Sequence, residues 1–87
     1  MKLIKENLKG QTYQLNDYKI CYRNKNSISW DNKINKKETI YLISWSAEFT
    51  IDTETKKITA PEKIEFPAKT YHKIKAITDI CFLLYNY

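Results

Sequence analysis

Eighty-seven residues, 43% of them hydrophobic, are enough for one domain around one core, spanning residues 1–87, and too few for two. The net charge of +5 favours an anionic partner, but fourteen of the fifteen basic residues are Lys and only Arg23 is Arg. With one Gly and two Pro in an Ile-, Asn- and Tyr-rich chain, this profile matches A+T-rich coding, so part of the charge reflects codon usage rather than phosphate recognition by planar Arg forks.

Residues 1–10 put Leu3, Ile4 and Leu8 on one side of a helix, with Gly10 as its C-terminal stop; a first strand through Leu3 and Lys5 is the alternative. The charges and amides in this stretch break up the apolar run a signal peptide needs, and the longest apolar run, residues 80–85, is too short to span a bilayer. The expectation is a cytoplasmic protein with no membrane contact, keeping Cys21 and Cys81 as reduced thiols.

From residue 11 the pattern alternates. Tyr13 and Leu15 lead into Asn16-Asp17, and Tyr18, Ile20 and Tyr22 follow on one face, which predicts two strands joined by a tight turn. Asn24, Lys25 and Asn26 form a further turn, and Ile28 and Trp30 begin a short third strand. Residues 31–38 are polar, lack periodicity and carry Lys33, Lys36 and Lys37, which predicts an exposed loop.

Residues 39–52 have apolar side chains at Tyr41, Ile43, Trp45, Ala47, Phe49 and Ile51, and polar ones at Ser44, Ser46, Glu48 and Thr50. Period-two alternation predicts one long central strand with its odd positions turned to the core. Residues 52–57 read as a hairpin loop and residues 58–66 as a partner strand, with Pro61 confining it to a sheet edge or a bulge. In residues 67–85, Pro67 suits a first helical turn, and Tyr71, Ile74, Ile77, Cys81 and Leu84 share one helical face opposite Lys69, His72, Lys73 and Asp79. A C-terminal amphipathic helix is predicted; the β-branched residues and the run from Ile80 to Tyr85 offer a buried strand as the alternative. The fold expected is α+β: an antiparallel sheet of four to five strands, a C-terminal helix packed on one face, and a short N-terminal helix beside it.

The chain is poor in catalytic groups. Cys21, His72 and Asp79 can be named as a trio, but a chain of this size offers one by chance, and cysteines within apolar runs are inert filler. Two distant cysteines and one histidine fall short of a four-ligand zinc site, the acidic residues are scattered with Glu62 and Glu65 nearest to a pair, and a lone Gly10 builds no phosphate loop. No enzyme activity and no cofactor or metal are expected.

Contact residues are easier to name. Tyr18, Lys19, Tyr22 and Arg23 interleave rings and cations on one strand; Lys33, Lys36 and Lys37 charge a loop; Lys69 and Lys73 occupy the polar side of the predicted helix; Tyr85 and Tyr87 are aromatic anchors. The leading expectation is a small non-catalytic interaction protein that occupies a surface of a larger protein or nucleoprotein of the host. By analogy with lysine-rich accessory proteins of phages and mobile elements, it would inhibit a host nucleic-acid enzyme or a defence nuclease, in the manner of an anti-CRISPR protein. The alternative is a basic single-stranded nucleic-acid-binding protein that uses lysines and tyrosines on a sheet face.

Overall fold

The computed structural model describes residues 1–86, the last of them as backbone only. Ten strands follow in order: β1 (Lys2–Asn7), β2 (Gly10–Leu15), β3 (Tyr18–Arg23), β4 (Ile28–Ile34), β5 (Glu38–Ser44), β6 (Ser46–Ile51), β7 (Glu54–Thr59), β8 (Glu62–Phe66), β9 (Thr70–Ala76) and β10 (Ile80–Asn86). Pairing is antiparallel throughout, in a six-stranded sheet of order β1-β2-β3-β10-β5-β8 and a four-stranded sheet of order β4-β9-β6-β7. No described residue is helical, so the α+β expectation is corrected to an all-β sandwich.

The C-terminal helix is replaced by two strands in different sheets, β9 in the four-stranded sheet and β10 in the six-stranded one. His72, Ile74 and Ala76 are buried on one side of β9, and Ile80, Phe82 and Leu84 on one side of β10, with the turn at residues 77–79 between them. Treating His72 as a solvated polar residue hid this two-residue period: buried, it is the first member of the apolar row. The N-terminal helix is also absent. Leu3, Ile4 and Leu8 are all exposed, and a short helix without a packed face cannot hold itself together, whereas β1 gains its backbone bonds from β2. Gly10, expected as a helix stop, opens β2 instead, at φ 138°. A Cβ there would sit 1.9 Å from the Tyr22 carbonyl oxygen of β3.

The long central strand is two strands in different sheets. Trp45 lies between β5 and β6 with φ 64°, the left-handed region, and there the chain passes from one sheet to the other. The inward parity changes with it: Ile40 and Leu42 are buried before the corner and Ala47 and Phe49 after it, while Tyr41 and Ile43 face outward. The returning chain bends opposite, at Ala60-Pro61, which separates β7 from β8, and the Ala60 N–H donates to the Trp45 carbonyl at 2.7 Å. Residues 38–66 therefore form one long hairpin folded across both sheets. Its tip is the turn at Asp52 and Thr53, narrower than the loop expected over residues 52–57.

The inner faces of the two sheets enclose a core centred on Phe66, Phe82, Ile40, Leu42 and Ile74. Aromatic contacts tie the sheets together, with Phe49 against Phe66 at 6.0 Å and Trp30 against Phe82 at 5.8 Å between ring centroids.

Candidate functional site

The six-stranded sheet has an unusual outer face. Register places Leu3, Tyr13, Ile20, Leu83, Tyr41 and Lys63 in a single row, one from each strand. Five of the six are apolar or aromatic, and the Lys63 ammonium lies 5.9 Å from the centre of the Tyr41 ring. Tyr18 and Tyr85 extend the face with rings 5.2 Å apart, and Tyr22 meets Tyr13 edge-on at 5.9 Å. Ile43 is 50% exposed and Trp45, at the corner just beyond it, 68%. The four-stranded sheet is different. Its outer row of Lys57, Glu48, Lys75 and Ile28, with Lys33 and Lys73 nearby, is the charged surface expected of a sheet against water.

Residues expected to act together are thus divided between surfaces. Tyr18, Tyr22 and Tyr85 share the aromatic face. Lys19 and Arg23 alternate with them along β3 and point to the opposite, inner side, because adjacent residues of a strand face opposite ways. Lys33 and Lys73 belong to the far sheet, Lys36 and Lys37 to the β4–β5 connection, and Lys69 to the β8–β9 turn; Tyr87 lies outside the described residues. The interleaving of rings and cations seen along β3 is an interleaving of two surfaces. The odd-position pattern assigns Tyr41, Ile43 and Trp45 to the core, which conceals their part in the outer face. Ile40 and Leu42, apolar at even positions, are the signal that could have reversed it.

The inner side of β1, β2 and β3, with Ser29 and Trp30 of β4, lines an open cavity of about 370 Å³. Lys5, Lys9, Lys19 and Arg23 surround it together with Thr12, Ser29, Trp30 and Cys21, and no carboxylate is among the lining residues. Arg23 is fixed there by bonds to neutral acceptors. Its Nε donates to Ser29 Oγ at 3.3 Å, Nη1 to the carbonyls of Gln11 and Tyr22 at 3.0 Å each, and Nη2 to Thr12 Oγ1 at 3.0 Å.

His72 and Glu38 form a second cluster, inside the core. His72 stacks on Phe66 at 4.2 Å and is fully buried; Glu38 is 6% exposed. Thr70 Oγ1 donates to the Pro67 carbonyl at 2.6 Å and lies 2.7 Å from His72 Nε2, which is also 3.2 Å from that carbonyl. A carbonyl only accepts, so Nε2 carries the proton and Nδ1 of the neutral ring is bare. Nδ1 faces Glu38 Oε1 at 3.8 Å, and neither atom has a hydrogen-bond partner. Burial lowers the His72 pKa and raises that of Glu38, both favouring the neutral forms.

The chance trio of Cys21, His72 and Asp79 is not assembled. His72 is held by Thr70 and Pro67 and faces Glu38, Cys21 sits at the cavity floor, and Asp79 accepts the Lys25 N–H at 2.7 Å. Cys21 and Cys81 lie on adjacent strands but on opposite faces of the sheet, and burial raises both thiol pKa values. Among the described residues, no group of three or more His, Cys, Asp or Glu is placed to hold a metal ion. No described helix is long and apolar enough to cross a membrane.

No protein-family model matches the sequence, and no curated protein matches it. Solved structures do resemble the fold. A conserved protein of unknown function, SPY1581 from Streptococcus pyogenes, is 25% identical with a TM-score of 0.72, over 87% of this chain and 69% of that one. A cupin superfamily protein from Desulfitobacterium hafniense is 12% identical with a TM-score of 0.75, over 86% of this chain and 72% of that one. A predicted oxalate decarboxylase from Thermotoga maritima is 16% identical with a TM-score of 0.77, over 87% of this chain and 77% of that one. The capsular polysaccharide assembling protein CapF from Staphylococcus aureus is matched over only 29% of its length. The class these likenesses define is a cupin-like double-sheet fold. Enzymes are among the proteins that share it, and at such identities the likeness extends to the fold alone.

Proposed function

We propose that this chain acts by binding rather than by catalysis, and that the outer face of the six-stranded sheet is its contact surface for a larger protein or nucleoprotein. The observation that carries this reading is the apolar row from Leu3 to Tyr41 crossing five neighbouring strands, with Tyr18, Tyr22, Ile43 and Trp45 around it. Five strand widths by six residues give a face of about 24 by 20 Å. That is on the order of 500 Å², as large as the largest apolar patch on ordinary monomers and below the roughly 800 Å² per partner of a standard interface. A moderate, exchangeable complex follows.

Trp45 supports the same reading. A large exposed side chain in the left-handed region adds little to folding and costs backbone strain, a combination found where a residue serves contact. His72, enclosed with both ring nitrogens turned to core groups, supports binding over catalysis. Inhibition of a host nucleic-acid enzyme or defence nuclease is the form of the reading that the lysine-rich composition suggests, and the fold adds nothing to that choice. Single-strand binding through rings and cations on one face is disfavoured by the opposite placement of Tyr18 and Tyr22 from Lys19 and Arg23.

Co-purification from the native host, with and without nuclease, tests the proposal. The tagged protein should capture the same partner in both arms; Tyr41→Lys with Ile43→Lys should abolish capture, and Lys33→Gln with Lys73→Gln should preserve it. Capture lost on nuclease treatment, or loss confined to the lysine variants, would refute it.

A further inference from the structure

We infer that the cavity on the inner side of β1, β2 and β3 is a binding site for a small multiply charged anion, a phosphate monoester or a di- or tricarboxylate, separate from the outer contact face. Three observations carry this. The first is charge. Four cations line the cavity without a lining carboxylate, and among the described residues none of the four is in an ion pair. Elsewhere lysines do find carboxylates, as in Lys56 with Glu54 at 3.2 Å and Lys63 with Glu65 at 3.3 Å. A concave cluster of one sign focuses its field on whatever enters.

The second is the state of Arg23. Its bonds to Gln11, Thr12, Tyr22 and Ser29 join β2 and β3 to β4, so the guanidinium is immobile, and every acceptor is neutral. Four of its five N–H groups are used, and no carboxylate offsets the positive charge, which lies over the Phe82 ring at 5.8 Å from its centre. Arg23 therefore supplies a fixed cationic floor rather than a two-pronged clamp. The donors able to close on a ligand are the ammonium groups of Lys5, Lys9 and Lys19 and the hydroxyls of Thr12 and Ser29. Such a set recognises charge density from several directions, which suits a phosphate or a cluster of carboxylates better than one planar carboxylate.

The third is size. A volume of about 370 Å³ holds on the order of a dozen waters, and thus a ligand of roughly as many non-hydrogen atoms. The indole of Trp30 and the side chains of Ile4 and Leu84 give it an apolar wall. Phosphorylated or polycarboxylic metabolites fit; a nucleic-acid strand does not.

Trp30 reports on the cavity and Trp45 is remote and exposed, so a Trp45→Phe protein excited selectively at tryptophan isolates the relevant signal. It is titrated with citrate, with inorganic phosphate and with glycerol, in about 150 mM NaCl so that diffuse surface attraction is screened. Saturable changes with citrate or phosphate and none with glycerol are expected, the tighter of the two anions identifying the ligand class. Lys19→Gln should weaken binding by roughly twofold to fivefold, the effect of one exposed charge pair, and Lys73→Gln on the far sheet should leave it unchanged. Arg23→Gln would also break the bonds between strands, so Lys19→Gln carries the test. A response that does not saturate, is absent with both anions, or is indifferent to Lys19→Gln overturns the inference.

Discussion

Glu38 and His72 show how much of this core depends on one proton. With Nε2 committed as a donor, the bare Nδ1 of His72 and the ionised Glu38 would repel, so the pair is at rest only when one of them holds a proton. A free glutamate ionises near pH 4.5, and burial raises that value in the fold. Its contribution to stability is therefore present below pH 4.5 and lost as pH rises through the folded value. For His72 the sign is opposite: its folded value is lowered from 6.5, so its contribution is present above pH 6.5 and lost as pH falls through the folded value. Glu38→Gln keeps the shape, removes the ionisation and offers Nδ1 an amide donor. Urea denaturation should find it more stable than the parent by about 1 kcal/mol near pH 8 and equal to it near pH 4; a variant less stable near pH 8 would contradict this. Gly10 is constrained by contact. Gly10→Ala would drive a methyl into the Tyr22 carbonyl at a φ that L residues rarely adopt, and thermal unfolding should show a loss of about 3 kcal/mol or more.

At the scale of elements, the β2–β3 hairpin was legible because Tyr13, Leu15, Tyr18, Ile20 and Tyr22 alternate around a two-residue turn, and the structure keeps that turn. The strand over residues 39–52 was legible as extended chain and misread in its parity. Residues 40–43 are all apolar, so alternation there cannot choose a face, and the parity is set by residues 44–51, of which residues 46–51 belong to the other sheet. A corner that reverses parity without glycine leaves little trace in composition; Pro61, read as an edge marker, is its clearest sign. A helix over residues 67–85 treats His72 as polar, whereas its burial makes it part of a two-residue apolar period. If the corner depends on backbone geometry and Trp45 serves contact, Trp45→Gly should relieve the left-handed strain and leave stability equal or higher by about 0.5 kcal/mol. A fall of more than about 1 kcal/mol in chemical denaturation would instead make Trp45 a packing residue.

For the whole molecule, the two sheets meet through a few large rings. Phe66 lies at their centre, against Phe49 and His72, with no exposed surface, and Phe66→Ala should cost about 3 to 5 kcal/mol, enough to unfold a domain of this size near body temperature. Around that core the sandwich presents unlike surfaces: an aromatic sheet face, a lysine-bearing sheet face and a cationic cavity. The sequence signalled each ingredient and misplaced their grouping, because neighbours in the chain are not neighbours on a surface when the backbone is extended. The proposed contact surface is the aromatic face of the six-stranded sheet. Photo-crosslinking in the native host tests this most directly, with p-benzoylphenylalanine placed at Tyr22 or Tyr41 in one set and at Lys57 or Lys73 in the other. A partner seated on the aromatic face gives one discrete protein adduct from the first set and none from the second; adducts from the lysine positions alone would place the contact on the other sheet.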